Sequence, residues 1–318
     1  MLSFIIIGKN EGIKLLNCIN SIYETIEFNQ LKQTEIIYID SNSKDNSIDL
    51  IKHFDNLSIY KLTNQCNAAI ARNLGFKKSK GDILFFIDGD MRLIPENFIY
   101  FYNSVENKLW YPFISGGFIN YYYNKAGEFL YKQEYRFLKE DKFQVTTGGI
   151  FLINRNLWEL VGGMRTIFRR SQDLDFGLRI SSKGIKLLRK KENIANHYTI
   201  NYESNERFCT DLINGNFLYG GLLYKYNIFN KYVYQEYIKK EITIGVFIFV
   251  IILITVFQKS IILLSLYIFA LIAKIIYKKQ NNIARNLLIF FITDMNTIFS
   301  LLFFWPSPAK KVDFNKLR

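Results

Sequence analysis

Cysteine is scarce in this chain: three residues in 318, Cys18, Cys66 and Cys209, far apart and without a CxxC spacing. That excludes a disulfide framework and a cysteine-built zinc site, and it suits a reducing compartment. Histidine is scarcer, with only His53 and His197. The opening stretch "MLSFIIIGKN" has no basic n-region, and its apolar run is too short for a signal peptide, so it reads as a first β-strand. No zinc-finger, KH-loop or RNP signature is present, nor an internal repeat or low-complexity linker. The net charge of +13 therefore has no nucleic-acid motif to serve. From Asn230 onward 12 Lys and Arg face 4 Asp and Glu, which places +8 of that charge in a segment dominated by apolar residues. Basic clusters flanking apolar runs point to a membrane surface.

What the chain does have is core material, at 49% hydrophobic and 17% aromatic residues. Residues 2–7 (LSFIII), 35–39 (EIIYI), 57–62 (LSIYKL) and 82–87 (DILFFI) are short β-rich runs. Between them Leu15, Ile19, Ile22 and Tyr23, then Ile48, Leu50, Ile51 and Phe54, recur at helical spacing. Alternating strands and helices predict an α/β fold with a mostly parallel sheet covered on both faces. Ligands bind at the carboxyl edge of such sheets. Asp40 follows the second strand and Asp88 the fourth, so both fall on that edge. Further on, "TTGGIFLINRNLWELVGG" reads as loop, strand, helix and glycine stop, and "SQDLDFGLRISSKG" as a helix from Gln172 to Gly184. Residues 95–145, rich in Tyr and Phe, show no clear period. The character changes near residue 241: 242–258 and the run from 260 carry no charge until Lys274. These predict a domain over 1–230, divided near 92, and a membrane-associated region over 231–318. In that region 242–258 and 260–277 are the expected spans. Residues 286–305 hold Asp294 and Asn296 mid-run and are expected to be interfacial or re-entrant.

The sharpest chemical signal is "FFIDGDM", a core strand that ends in two aspartates separated only by Gly89. Like charges this close need a compensating cation or hydrogen bonds. A divalent cation supplies that compensation, and hard cations favour carboxylate oxygens from one or two residues, with phosphate and water completing the shell.

Four clusters stand in order: "IIIGKNEG" (5–12), "IYIDSNSKDNS" (37–47), "NAAIARNLGFKKSKGDILFFIDGDM" (67–91) and "TGGIFLINRNLWELVGGM" with "SQDLDFGLR" (147–179). Together, over roughly residues 1–200, they closely resemble family 2 glycosyltransferases, inverting enzymes of the GT-A fold that use nucleotide-activated sugars. The resemblance implies Asp90 as a direct ligand of Mn²⁺ or Mg²⁺, with Asp88 facing the nucleotide or the metal's water shell. It implies Asp40 as partner of the nucleotide base, and Asn10, Glu11 and Arg72 as lining of the nucleotide and diphosphate site. Asp173 takes the place of the catalytic base, although the family's usual Glu-Asp is Gln172–Asp173 here. His197 matches a histidine that completes the metal site. The donor expected from the resemblance is a UDP-sugar and the acceptor a glycan or lipid-linked glycan, in cell-surface polysaccharide synthesis. The domain would face the cytoplasm from the inner membrane. A Gln-x-x-Arg-Trp motif, the mark of processive members, is absent, so single-sugar transfer is expected. "DGDMRLIPEN" lacks the Gln and double proline that polyprenyl-phosphate glycosyltransferases place after this loop. Those enzymes, and an inactive nucleotide- or glycan-binding membrane protein, are the alternative readings.

Overall fold

A computed structural model describes residues 1–318 except 125, 201–204, 241, 258–259 and 310–311. The first half alternates as the apolar spacing requires: β1 (Leu2–Gly8), α1 (Ile13–Phe28), β2 (Thr34–Asp40), α2 (Ser47–Ile51), β3 (Leu57–Leu62), α3 (Ala68–Lys78) and β4 (Ile83–Asp88). A short strand β5 (Met91–Leu93) follows, then a 3₁₀ turn and the small ribbon β6 (Tyr102–Asn103) and β7 (Lys108–Leu109). Residues 95–145, without a legible period in sequence, contain the long hairpin β8 (Phe113–Tyr123) and β9 (Phe129–Tyr135), and then β10 (Lys142–Gln144). Next come β11 (Phe151–Asn154), α4 (Arg155–Leu160), α5 (Gln172–Ser182) and β12 (Leu187–Ile200). Five helices come next: α6 (Asn205–Ile213), α7 (Leu218–Tyr226), α8 (Lys231–Lys240), α9 (Ile242–Phe257) and α10 (Ser260–Tyr277). They are followed by α11 (Ile283–Phe303) and a last strand, β13 (Phe314–Lys316).

Among the described residues one sheet runs in the order β10, β12, β8, β11, β4, β1, β2, β3, β13. Strands β4, β1, β2 and β3 are parallel, while β11 pairs antiparallel with β4. The parallel strands read as mostly apolar runs because helices cover both faces. On one face Leu15, Ile19 and Ile22 of α1 meet Phe4, Ile6 and Phe85. On the other, Trp158 of α4 stacks on Phe86 with ring centroids 4.6 Å apart, and Phe176 of α5 packs against Trp158 at 4.7 Å. Burying each such aromatic contributes roughly 1.5–3 kcal/mol, so α5 is anchored through Phe176 in its second turn while its first turn stays at the sheet edge.

The chain forms two compact units. One is Met1–Phe208 with Ser307–Arg318, the other Cys209–Pro306. The second unit therefore starts before the expected residue 231, and the last residues belong with the sheet, where β13 pairs antiparallel with β3. Within the helical unit α11 is the one described helix long and apolar enough to cross a membrane. The runs in the two expected spans, Ile242–Val256 and Leu264–Tyr277, are shorter. Asp294 is fully buried and accepts a hydrogen bond from Tyr267 Oη at 2.9 Å, while Asn296 donates to the Ile292 carbonyl. Tyr267 thus engages one oxygen of Asp294 and Asn296 bonds within its own helix, while Asp294 Oδ1 is buried without a hydrogen-bond partner. The turn expected at 258–260 falls partly on residues outside those described.

Candidate active site

Strand β4 delivers Asp88 to the carboxyl edge, Gly89 turns the chain, and Asp90 precedes β5. Gly89 donates its N–H to the Ile7 carbonyl at 2.8 Å, fixing the turn against β1. The two carboxylates do not share a partner. Asp88 Oδ1 accepts from Arg72 Nη2 at 2.6 Å, and Arg72, on α3, is 2% exposed. Burial nevertheless raises the Asp88 carboxyl to about 6; Arg72 opposes the shift and Asp90 adds to it.

Asp90 instead faces His197, whose Nε2 lies 3.1 Å from Asp90 Oδ2. Register explains the meeting. β12 runs antiparallel to β5 with His197 opposite Met91, and parallel to β8 with His197 opposite Asn120. Asn120 Nδ2 donates to the Tyr122 hydroxyl, so its Oδ1 faces His197 Nδ1 at 2.7 Å. That carbonyl oxygen places the proton on Nδ1 and presents Nε2 toward Asp90, the second-partner arrangement common to metal-binding histidines. Burial acts to lower the His197 pKa, but Asp90 outweighs it and the net shift is upward. Glu11 lies against the same turn, with its Cγ 3.5 Å from where a Cβ on Gly89 would stand. Burial, then the neighbouring Asp90, pushes Glu11 up to about 7.

Asp173 stands in the first turn of α5. Its Oδ2 accepts from Thr146 Oγ1 at 3.3 Å and lies 3.9 Å from Arg136 Nη2. Asp175, two residues on, is fully buried between Arg165 (2.8 Å) and Arg179 (3.0 Å) and serves to hold the helix. Asp88, His197 and Asp173 line one cavity of about 500 Å³, together with Arg136, Tyr122 and Gly149.

The remaining expected residues sit elsewhere on the edge. Asp40 is wholly buried, and its carboxylate already accepts from Tyr38 Oη (3.0 Å), Ser43 Oγ (2.5 Å) and Ser43 N (2.8 Å). Oδ1 thus accepts two hydrogen bonds and Oδ2 one, which fills three of the roughly four acceptor positions of a carboxylate. Asn10 joins the same network: its N–H donates to Ser43 Oγ and its Oδ1 accepts from Lys44 N, each at 2.8 Å. These two residues shape the loops after β1 and β2 and do not line the cavity.

Sequence reasoning missed three groups. Arg189, inside the basic run "LLRKKEN", is fully buried and donates to Gln144 Oε1 and to the carbonyls of Gly116, Thr146 and Thr147 at 2.6–3.1 Å. It clamps the loop that carries Thr146 against Asp173. Arg136 and Asn120 come from the stretch without a period; the flanking TTGG was the only local signal.

The donor set fits a divalent cation. Among the described residues no three acidic, histidine or cysteine side chains form a ready-made cage. Asp90 and His197 offer one oxygen and one nitrogen side by side, which suits a cation that keeps positions for phosphate oxygens and water.

Residues 3–162 match the sequence profile described as Glycosyl transferase family 2. An "Uncharacterized glycosyltransferase" of Haemophilus influenzae is 41% identical over 86 residues, 26% of this chain and 30% of that protein. The poly(ribitol-phosphate) beta-N-acetylglucosaminyltransferase TarP of Staphylococcus aureus is 38% identical over 87 residues, 26% of this chain and 25% of TarP. Among solved structures, residues 1–349 of S. aureus TarS in complex with UDP-GlcNAc overlay with a TM-score of 0.47 and 12% identity, covering 68% of this chain and 66% of that one. The curated relatives are thus matched over less than a third of their length. The profile, in contrast, spans half of this chain, from β1 through α4, and takes in the strand-end DGD turn and Arg72; the chain belongs to glycosyltransferase family 2.

Proposed function

We propose that this protein is an inverting, metal-dependent glycosyltransferase that moves one sugar, a hexosyl or N-acetylhexosaminyl unit, from a UDP-sugar to a glycan or lipid-linked acceptor. The observation that carries the reading is one cavity bounded by Asp88 and His197 at the DGD turn and by Asp173 across it. Asp90 and His197 would hold Mn²⁺ or Mg²⁺. When bound, the cation neutralises charge developing on the departing diphosphate. Arg72, buried against Asp88, adds a fixed positive charge on that side. Asp173 is the base: Thr146 and Arg136 both face its Oδ2, leaving Oδ1 to take the proton of the acceptor hydroxyl as it attacks the anomeric carbon. Attack from the face opposite the leaving group inverts the anomeric centre.

The apolar helices and the basic pairs Lys239–Lys240 and Lys278–Lys279 support an inner-membrane location with the sheet unit on the cytoplasmic face, where sugar nucleotides are made. A role in cell-surface polysaccharide synthesis follows from that placement.

The test is sugar-nucleotide turnover by the full chain with and without Mn²⁺, starting from UDP-GlcNAc, the donor bound in the TarS structure. Mn²⁺-dependent release of UDP is expected from the wild type and its loss from Asp90→Asn, which removes charge and keeps volume. Wild-type turnover by Asp90→Asn at the same Mn²⁺ would overturn the metal assignment. UDP binding with no turnover of any sugar nucleotide would make this chain a binding protein.

A further inference from the structure

We infer that Arg136 is an acceptor-recognition residue, and that the acceptor carries an anionic group, phosphate or carboxylate, beside the hydroxyl that is glycosylated. The inference rests on the glycosyltransferase reading for what the acceptor is, but on Arg136 itself for the anion.

Arg136 follows β9 with φ +57°, a left-handed backbone that non-glycine residues seldom adopt. The turn aims the side chain into the cavity, with the guanidinium 5.1 Å from the Tyr135 ring. Gly148 makes the space: a Cβ there would lie 2.7 Å from Nη1. The side chain is 16% exposed, so its charge is largely removed from water. Nη2 faces Asp173 at 3.9 Å, whereas Nη1 is buried and makes no hydrogen bond. A buried guanidinium N–H left without an acceptor keeps the desolvation penalty of a charged donor uncompensated.

Charge accounting sharpens this. Before reaction Asp173 balances Arg136. When Asp173 takes the acceptor proton its carboxylate becomes neutral, and Arg136 is left as a buried cation with no anion at hand. The diphosphate does not supply one, because in-line attack puts the acceptor and its base on the face away from the leaving group. An anion on the acceptor, accepting from Nη1, satisfies the free donor before transfer and balances the charge after it.

Ligand-observed NMR titrations on the full chain, with UDP and Mn²⁺ saturating, compare glycerol 3-phosphate with glycerol and galacturonate with galactose. The wild type is expected to bind at least one anionic probe about tenfold more tightly than its neutral counterpart, the scale of one charge-assisted hydrogen bond; which anion gains more separates phosphate from carboxylate. Arg136→Gln should erase the preference, Arg136→Met should do the same, and Arg136→Lys should keep part of it, all three with unchanged UDP affinity and melting temperature near wild type. A wild type without preference, or a folded neutral variant that keeps it, overturns the inference. If the wild type fails to bind UDP, the nucleotide-sugar reading falls, while the loss or survival of the anion preference in Arg136→Gln and Arg136→Met still decides the role of Arg136.

Discussion

At the scale of single residues, the carboxyl edge of the sheet gathers acidic and basic side chains that lie far apart in the chain, Asp88 against Arg72 and Asp90 against His197. Asp88, Asp90, Asp173 and His197 were all recognisable from motif and order, and the structure brings them around one turn and one cavity. Asp40 was equally visible, but sequence does not show that it is wholly buried with Tyr38 and Ser43 already bonded to it. Arg189 was hidden among basic neighbours because nothing local marks a cation as buried. Asp173→Asn should leave UDP affinity unchanged and lower transfer by at least ~10²-fold, the lower range for a positioned base; equilibrium titration with UDP beside a single-turnover assay measures both, and parallel loss would assign Asp173 to nucleotide binding. Arg189→Met should strand the carbonyls of Gly116, Thr146 and Thr147 and destabilise the protein by about 3 kcal/mol or more. A thermal melt checks this, and an unchanged melting temperature would show that the carbonyls find other partners. Gly149→Ala tests the DGD turn from its other side. A Cβ there would lie 2.0 Å from Asp88 Oδ2 and 3.1 Å from Met91 Cε, so the Asp88 carboxylate must shift from its place against Arg72. Weaker Mn²⁺ binding in an otherwise folded protein is the expected result.

Among elements, β1 to β4 declared themselves because helices cover the sheet, which makes most of their positions apolar. Their observed bounds differ from the apolar runs by a residue or so. The hairpin β8–β9 did not, since β9 is exposed along its length and its order comes from cross-strand rings instead of burial. Tyr122–Tyr131 at 4.7 Å and Phe118–Tyr135 at 5.0 Å hold the pair together, a pattern that exists only once the strands are in register. Helix α5 shows the reverse case: its start at Gln172 was predicted, but not what it rests on. Gly177 lies directly on the TTGG loop, where an added Cβ would come within 1.8 Å of the Val145 carbonyl. Gly177→Ala should therefore lift α5 from the loop and separate Asp173 from Thr146. A fall in kcat with donor KM unchanged is the expected signature, and wild-type kcat would mean that the helix tolerates the shift.

For the whole molecule, composition announced two regimes, a sheet-forming first part and an apolar second part; the compact helical unit begins at Cys209, some twenty residues before the change expected at 231, because α6 and α7 carry polar residues between their apolar ones and form no uncharged run like those after residue 241. What no hydropathy pattern shows is that the chain comes back. Strand β13 lies beside β3 with Phe314 opposite Leu62, and the Arg318 carbonyl accepts from Ile59 N at 3.1 Å. This return is a parity rule. A strand bonded to a sheet is on the same side of any bilayer as that sheet, so the segment between Phe208 and Ser307 crosses an even number of times or not at all. Three apolar helices cannot then all be full crossings: if two of α9, α10 and α11 span, the third lies in the interface or turns back, and length alone does not choose which. Cysteine substitution at Lys316 in a background without Cys18, Cys66 and Cys209 should resist an impermeant thiol reagent in intact cells and react once they are opened. Labelling from outside would break the β13–β3 pairing or the cytoplasmic placement, and a cysteine in the sheet unit, labelled alongside, tells which.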